Sequence, residues 1–378
     1  MLAKKPPMGF NTWNTFGPNI SDAMIRETAD AMAARGFLDA GYEYLVIDDC
    51  WSERDRDPVT GRLVPDHVKF PNGMKAVADY VHSKGLKFGM YSCAGVRTCG
   101  DYPSSFDHEY LDAETFAEWG VDFLKYDFCN VPPASDGPLL YRRMGMALRS
   151  SGREILFSAC NWGSDDVWSW IRSAGAHMYR STGDINDTPG SFINIYKSQL
   201  PKLGASAPYC WNDLDMLTVG MYGNGNVGHG DSCTIADYRA QFATWCMCAS
   251  PLMLGCDVRN CTEEARELLC NRELIAINQD EEARPPFPIG GLKSYEAKED
   301  SLAKFLSDGT YAILCINNDE NPANRRFSTF DLGITTESGY ALELTDVFTG
   351  KCEGTFKDYV RVPVPGRDCR LFRARLVK

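Results

Sequence analysis

The sequence predicts an α/β protein, a (β/α)8 TIM barrel followed by a C-terminal antiparallel β-sandwich domain. Short apolar runs alternate with amphipathic helical runs eight times, and eight parallel strand-helix units in about 250 residues are what closes such a barrel. A doubly wound open sheet is the alternative, but it usually has fewer units, and no Gly-rich phosphate loop follows the first strand. After EEARPPFPIG (281–290), short, partly alternating runs separated by turns replace this rhythm. We therefore predict a catalytic barrel over 1–285 and a β domain over 290–378.

Each unit pairs a strand-like run with a helix-like one. The predicted barrel strands are 8–13, 42–51, 87–93, 123–129, 154–160, 178–182, 207–213 and 251–255. The predicted helices are 21–37, 72–85, 113–120, 139–150, 165–174, 191–201, 234–249 and 262–271. In the first helix Ile25, Ala29 and Met32 recur at helical spacing. The predicted sandwich strands lie within 301–308, 309–318, 325–333, 339–350 and 369–378.

Composition narrows the function classes. The 378 residues include 39 Lys or Arg against 51 Asp or Glu, a net charge of −12, which argues against nucleic acid or anionic membranes as partners. The 15 cysteines are an odd number, so at least one thiol lies outside any intrachain disulfide. With no C-x-x-C pair and 5 histidines, a zinc site is not expected. The start MLAKKPPMGF has no apolar h-region, so we expect no secretory signal in this chain and a cytoplasmic protein with mostly reduced thiols.

Polar residues recur where the predicted strands end. They are Trp13, Asp48, Asp49, Lys125, Asp127, Asn161, Trp162, Arg180, Asp184, Asp213 and Asp215. Catalytic groups of a (β/α)8 barrel gather at the carboxyl ends of the strands. We therefore expect these side chains to converge on one rim.

The fourth strand, FLKYDFC (123–129), carries two charges in an otherwise buried run. Lys125 and Asp127 are two residues apart and project to the same side. A carboxylate beside an ammonium group stays ionised, and an ionised carboxylate in a pocket can act as a nucleophile. The alternative is a structural ion pair at a strand end.

The composition of the rim favours a sugar. Six carboxylates with one lysine and one arginine fit either a divalent cation or a polyol, since each hydroxyl of a polyol can donate to a carboxylate. Trp13, Trp51 and Trp162 favour the polyol, because indoles stack on the faces of pyranose rings. Paired carboxylates between aromatic walls are the usual setting for glycoside hydrolysis.

Several long motifs then show a family resemblance over nearly the whole chain. They are MGFNTWNTF (8–16), YLVIDDCW (44–51), FPNGMKAVADYVHSKGLKFGMYS (70–92), FLKYDFC, SACNWG (158–163), RSTGDI (180–185), WNDLDML (211–217), SPLMLGCDVR (250–259) and IAINQD (275–280). The chain resembles family 27 of the glycoside hydrolases, the α-galactosidases and α-N-acetylgalactosaminidases. The resemblance implies the predicted two-part fold and a retaining mechanism through a covalent glycosyl-aspartate. It implies no cofactor and no metal.

The resemblance also implies residue roles. Asp127 matches the family nucleophile and Asp184 the acid/base. The implied substrate-binding residues are Trp13, Asp48, Asp49, Tyr91, Cys99, Lys125, Asn161, Trp162, Arg180 and Asp215. Asp48 and Asp49 would bind the 4- and 6-hydroxyls of galactose, and Trp13 would face the apolar side of the sugar.

Substrate choice is left to the loop after strand five. Cys160-Asn161-Trp162 is bulky, as in galactosidases, whereas α-N-acetylgalactosaminidases carry small residues there; Asn161 could equally be a turn residue. The expected partner is an α-galactoside, with a homo-oligomer possible. The alternatives are an α-N-acetylgalactosaminidase, a β-L-arabinopyranosidase, a non-catalytic sugar-binding barrel and a metal-dependent barrel enzyme. Asp48 and Asp49 argue against the pentose, and intact Asp127 and Asp184 argue against a binding protein.

The resemblance bears on two cysteine pairs as well. Cys50 lacks the partner that many relatives carry in the loop after strand one. Cys99 and Cys129 match a second family disulfide and could close, although a reducing compartment would oppose it.

Overall fold

The computed structural model describes residues 2–230, 233–290 and 300–378. The last two residues of the loop 221–232, which we expect to shape the leaving-group side, lie outside these ranges. Residues 291–299 of the predicted C-terminal domain do so as well. Within the described ranges, none of the helices combines the length and the apolar character that a membrane crossing needs.

Eight parallel strands form the first sheet. They are β1 (Met8–Asn11), β2 (Tyr44–Val46), β3 (Lys87–Cys93), β4 (Phe123–Asp127), β5 (Leu156–Cys160), β6 (Met178–Arg180), β7 (Trp211–Asp213) and β8 (Leu252–Leu254). Their order is β7-β6-β5-β4-β3-β2-β1-β8. The ring is completed just after β7, where Leu217 forms a parallel bridge with Leu254. All eight predicted barrel strands are present, most of them shorter than predicted.

The helices lie between these strands and after the last of them. They are α1 (Trp13–Phe16), α2 (Asp22–Ala34), α3 (Phe37–Ala40), α4 (Gly73–Ser83), α5 (Glu109–Trp119), α6 (Gly137–Ser150), α7 (Ile171–Ala174), α8 (Pro189–Gln199), α9 (Ile235–Met247), α10 (Glu263–Leu269) and α11 (Arg272–Asn278). Short 3-10 helices cover Ser164–Ser169, Leu200–Ala205, Thr329–Leu332 and Thr336–Ser338.

Side-chain caps explain where several helices begin. Ser21, Asp136, Thr188 and Thr262 each accept a backbone N–H of the first turn that has no partner within the helix. Thr234 opens α9 with the complete capping box that the sequence predicts.

The predicted helix 165–174 is a different case. It divides into the 3-10 turn Ser164–Ser169 and the short α7, because Asp165 and Asp166 adopt positive φ angles of 56° and 50°. Left-handed backbone at two successive residues cannot continue an α-helix. The prediction of one continuous helix is therefore wrong.

The C-terminal strands are antiparallel. They are β9 (Phe287–Pro288), β10 (Ser301–Phe305), β11 (Tyr311–Asn317), β12 (Ala323–Ser328), β13 (Ala341–Asp346), β14 (Cys352–Phe356), β15 (Tyr359–Val364) and β16 (Asp368–Val377). A six-stranded sheet, β14-β13-β16-β11-β10-β9, faces the pair β12-β15 across an apolar core that includes Ile313, Phe327, Val362 and Phe372. The predicted fold class is confirmed.

Three C-terminal strands were not predicted: β9, β14 and β15. β14 is mostly exposed and contains a glycine, so it offers no apolar period. β15 alternates cleanly between exposed and buried residues, but its sequence YVRVPV contains a proline. The pairing of β9 with β10 joins residues 287–288 to the C-terminal sheet, while the division at 285–290 stays a prediction.

Helix α9 and the C-terminal sheet meet through charged contacts. Arg239 binds Asp368 with both arms of its guanidinium, at 3.2 and 2.6 Å. Arg367 binds Asp237 in the same way, at 3.1 and 2.8 Å. The fully buried Lys304 donates from Nζ to the carbonyl of Ile277 at 2.8 Å. These contacts fix the six-stranded C-terminal sheet on the outside of the barrel.

Candidate active site

A cavity of about 320 Å³ opens at the carboxyl ends of the barrel strands. Its lining residues are Trp13, Asn14, Asp48, Asp49, Tyr91, Cys99, Lys125, Asp127, Cys129, Trp162, Arg180, Asp184, Ile185, Asn186, Asp215, Met216 and Val227. Both predicted catalytic aspartates are among them. So are all the predicted substrate-binding residues except Asn161.

Asp127 ends β4 and is only 6% exposed. The hydroxyl of Tyr91 donates to its Oδ2 at 3.1 Å, and the backbone N–H of Phe128 donates to its Oδ1 at 2.9 Å. Burial raises the pKa of Asp127, and the nearby charges of Lys125 and Arg180 offset only part of that rise. One carboxylate is thus held in a fixed orientation with few partners.

Lys125 does not pair with Asp127 as the sequence suggested. Its Nζ lies 2.8 Å from Oδ2 of Asp48, two residues after β2, and Asn11 donates to the same oxygen at 2.7 Å. Lys125 therefore affects Asp127 only through its electrostatic field. Desolvation raises the pKa of Asp127 by more than that field lowers it. The charge of Lys125 still lowers the pKa of Asp127, and the expectation that it keeps Asp127 ionised stays a prediction.

Asp49 is held by backbone donors. The N–H groups of Gly100 and Cys50 each donate to one of its carboxylate oxygens at 2.7 Å. Asp49 is buried, and its pKa is raised chiefly by desolvation. The adjacent thiol of Cys50 is free and buried, as expected, because the loop after strand one has no cysteine to pair with it.

Arg180 ties the far wall together. It forms a very short ion pair with Asp184 and lies 3.3 Å from Asp215. The second oxygen of Asp215 accepts the N–H of Ile185 at 2.7 Å. The side chain of Asp184 is 74% exposed at the mouth of the cavity. Desolvation acts to raise the pKa of Asp184, but its charge contact and hydrogen bond with Arg180 prevail, and the pKa lies below the usual value.

A disulfide forms part of the wall. Cys99 and Cys129 are bonded, with their Cα atoms 5.2 Å apart, and the hydroxyl of Tyr91 lies 3.4 Å from Sγ of Cys99. This disulfide is formed, although we expected a compartment in which the thiols are mostly reduced. The other 13 cysteines are free.

Three rim residues lie elsewhere than predicted. Asn161 is fully buried, and its side chain folds into its own loop, where it bonds to the carbonyl of Ser164 and the N–H of Gly163. Its assignment to substrate is corrected to a turn role. Trp51 packs in the core against Phe116 and Trp119. Asp213 lines a second, smaller cavity inside the barrel, and burial raises its pKa to about 7.

Six lining residues were not predicted as site residues: Asn14, Cys129, Ile185, Asn186, Met216 and Val227. Asn14, Ile185 and Met216 each directly follow a predicted site residue in the chain, and Cys129 and Asn186 each follow one by two residues. That adjacency is the signal that could have found them. Val227 has no such neighbour, but it belongs to the loop 221–232 that we expect to shape the leaving-group side.

The chain matches the family model described as Alpha galactosidase A (Melibiase_2) over residues 5–280. It is 39% identical to the α-galactosidase of Cyamopsis tetragonoloba over 373 residues, covering 98% of this chain and 86% of that protein. The chain belongs to the α-galactosidase family. This confirms the predicted family and the prediction of a glycoside hydrolase.

Other relatives agree. The chain is 42% identical to α-galactosidase A of Cellvibrio japonicus over 341 residues, covering 86% of this chain and 79% of that protein. The crystal structure of α-galactosidase I from Mortierella vinacea superposes with a TM-score of 0.89 at 33% identity, covering 99% and 97% of the two chains. A structure of the Saccharomyces cerevisiae α-galactosidase with raffinose gives a TM-score of 0.86 at 27% identity, covering 100% and 98%. The prediction of an α-galactosidase is confirmed.

Proposed function

We propose that the protein is a retaining exo-α-galactosidase that removes terminal α-galactosyl units through a covalent intermediate on Asp127. The observation that carries this proposal is one cavity that holds a buried, oriented carboxylate at its base and an exposed carboxylate at its mouth. A double displacement needs two carboxyl groups in different environments.

In the first step the carboxylate of Asp127 attacks the anomeric carbon. The glycosidic C–O bond breaks, and the leaving oxygen takes the proton of Asp184. In the second step Asp184 removes a proton from water, the water oxygen bonds to the anomeric carbon, and the bond to Asp127 breaks. The hydrogen bonds from Tyr91 and Phe128 hold Asp127 for this attack.

In the free protein the contact with Arg180 favours the ionised form of Asp184, whereas the first step needs its protonated form. The pKa of Asp127 is raised and that of Asp184 is lowered, whereas the attack needs an ionised Asp127 and a protonated Asp184. The pair between Arg180 and Asp184 must therefore loosen when the substrate binds. A sugar hydroxyl that takes up Arg180 would have that effect.

The remaining lining residues suit one galactosyl unit. Asp48 and Asp49 offer acceptors for the 4- and 6-hydroxyls, Lys125 and Arg180 offer donors, and Trp13 offers an apolar face. Asp48 and Asp49 are both 2% exposed. A cavity with such a buried base admits a chain end rather than the middle of a chain, which is why we propose an exo mode.

The leaving group then lies toward the mouth. We propose short galactosyl oligosaccharides of the raffinose type as substrates. The S. cerevisiae relative with raffinose supports this choice.

The experiment compares nitrophenyl α-galactoside, α-N-acetylgalactosaminide and β-L-arabinopyranoside as substrates. We expect fast hydrolysis of the galactoside alone, with α-galactose as the first product by NMR. Asp127→Ala with added azide should release β-galactosyl azide, which marks the displaced nucleophile. If β-galactose is the first product, the retaining mechanism is wrong. If another sugar is cut better, the substrate assignment is wrong.

A further inference from the structure

One wall of the cavity has no part in the galactose roles above. This wall, here called the mouth wall, consists of Asn14, Asn186 and Val227. Backbone hydrogen bonds hold it together: Val227 donates to the carbonyl of Asn14 at 3.2 Å and accepts from the N–H of Asp187 at 3.1 Å. Asn186 follows the proposed acid/base by two residues, so the mouth wall flanks the path of the leaving group.

Asn14 brings an unpaired donor to this wall. The residue is 2% exposed, and its Nδ2 has no hydrogen-bond partner within the described ranges. Leaving a buried donor unpaired is unfavourable. This Nδ2 is itself closed off from the cavity and lies next to Gly255, so Asn14 contributes to the wall without presenting this donor to a ligand.

Asn186 is half-buried and brings a second amide to this wall. Its Oδ1 lies 2.8 Å from Nε2 of His229 and accepts a hydrogen bond from it, while its backbone N–H donates to Ser191 at 2.9 Å. These two contacts fix the side-chain amide. Its Nδ2 then has no partner in the part of the chain that the structure describes, and it is available to a ligand.

We propose that Asn186 donates a hydrogen bond to a hydroxyl oxygen of the leaving group, so that the mouth wall selects a second sugar. His229 is a positioning residue, since it orients the amide of Asn186 and does not line the cavity. This inference rests on the proposed function, because the leaving group passes the mouth wall only if Asp184 is the acid. An aryl leaving group without hydroxyls gains nothing from this donor.

The experiment measures kcat/KM for two substrates that share the galactosyl unit. One is melibiose, whose leaving group is a sugar, and the other is α-galactosyl fluoride, whose leaving group is a single atom. We expect Asn186→Ala to lower the ratio of kcat/KM for melibiose over the fluoride by about tenfold, the effect of one lost hydrogen bond. Asn19→Ala is the matched control, because Asn19 is exposed and lies outside the cavity.

His229 provides a separate check. His229→Ala should lower the same ratio less than Asn186→Ala does. His229→Gln should restore it, since the glutamine amide can donate to Asn186 in place of the ring. If His229 served only the fold of the loop, His229→Ala would lower kcat/KM for both substrates equally. His229→Gln would then not restore it.

Two outcomes overturn the proposal: an equal loss on both substrates, or an unchanged ratio in Asn186→Ala. If Asn186→Ala does not fold, as judged by circular dichroism, the two His229 variants still decide the question. Failure of the proposed function looks different, because the unaltered protein would then not hydrolyse α-galactosyl fluoride at all.

Discussion

Aspartates meet arginines both at the mouth of the barrel and between α9 and the C-terminal sheet, and the two regions differ in how the charges are matched. In the second region each carboxylate has its own guanidinium in a two-armed contact, as for Asp368 with Arg239. At the mouth, Arg180 is shared between Asp184 and Asp215, and Asp127 forms no ion pair within the described ranges. Matched pairs of this kind hold two elements together. Where the carboxylates outnumber the arginines, some carboxylate oxygens stay free to accept hydrogen bonds from a ligand, and the pKa values of the carboxyl groups are shifted.

The strongest test exchanges one aspartate in each region for asparagine. We expect Asp127→Asn to lower kcat by a factor on the order of 10⁴, because the nucleophile is lost while the shape is kept. Asp368→Asn should leave kcat within about twofold but lower the free energy of unfolding by about 2 kcal/mol, since a partly buried pair is broken. Nitrophenyl release and urea unfolding measure the two effects. The proposed difference between the two regions is wrong if Asp127→Asn lowers the free energy of unfolding and Asp368→Asn lowers kcat.

The second test concerns Asp184. General acid catalysis contributes about 10²–10⁴-fold, so Asp184→Ala should slow melibiose hydrolysis by about 10³-fold. Galactosyl fluoride needs no proton for its leaving group, and its formation of the intermediate should change far less. Stopped-flow measurement of fluoride release separates this step from the second. An equal loss on both substrates would assign Asp184 a binding role instead.

The third test uses pH. Above the raised pKa of Asp127 both carboxyl groups are ionised, so kcat/KM for melibiose should fall about tenfold per pH unit for want of the acid. For galactosyl fluoride, kcat/KM should instead rise through that same pKa and then level off, because only ionised Asp127 is needed. Opposite slopes for the two substrates are the expected result. Parallel profiles would show that Asp184 stays protonated in the free protein.

The smallest expected effect belongs to the junction of the two sheets. Burial lowers the pKa of Lys304 to about 8, whereas an unfolded lysine titrates near 10.4. Between these values the unfolded chain binds more protons, so stability should rise with pH. Relative to Lys304→Met, the unaltered protein should gain about 2 kcal/mol from pH 7 to pH 10, as measured by urea unfolding at each pH. Identical pH dependence of the two proteins would show that Lys304 is neutral throughout or remains charged.

Much of this architecture could be predicted because it depends on short-range pattern. Strand periods and barrel topology placed Asp48, Asp127 and Asp184 at one rim, and the cavity contains all three. The partner of Lys125 could not be predicted in that way, since Asp48 is 77 residues distant along the chain. Sequence neighbours suggested Asp127, which lies on the same strand.

Asparagines show the other limit. Asn161 lies within a family motif and looked like a ligand, yet its amide serves its own turn. Asn14 and Asn186 had no predicted role, yet both line the cavity. An asparagine amide bonds equally well to a backbone turn or to a ligand. Only the positions of the surrounding atoms distinguish the two.

The bridge between Leu217 and Leu254 gives the barrel a seam. Every other neighbouring pair of strands in the ring shares at least three paired residues, while this joint has a single bridge. We expect the N–H groups of Leu217 and Gly255, which cross the joint at 2.8 and 2.9 Å, to exchange with deuterium sooner than other amides of the ring. Asp215 precedes the seam by two residues, and Thr15 bonds to Gly255 beside Asn14. Transient opening of the barrel at this joint would therefore displace the residues that line the sugar-binding cavity before it displaces the rest of the rim.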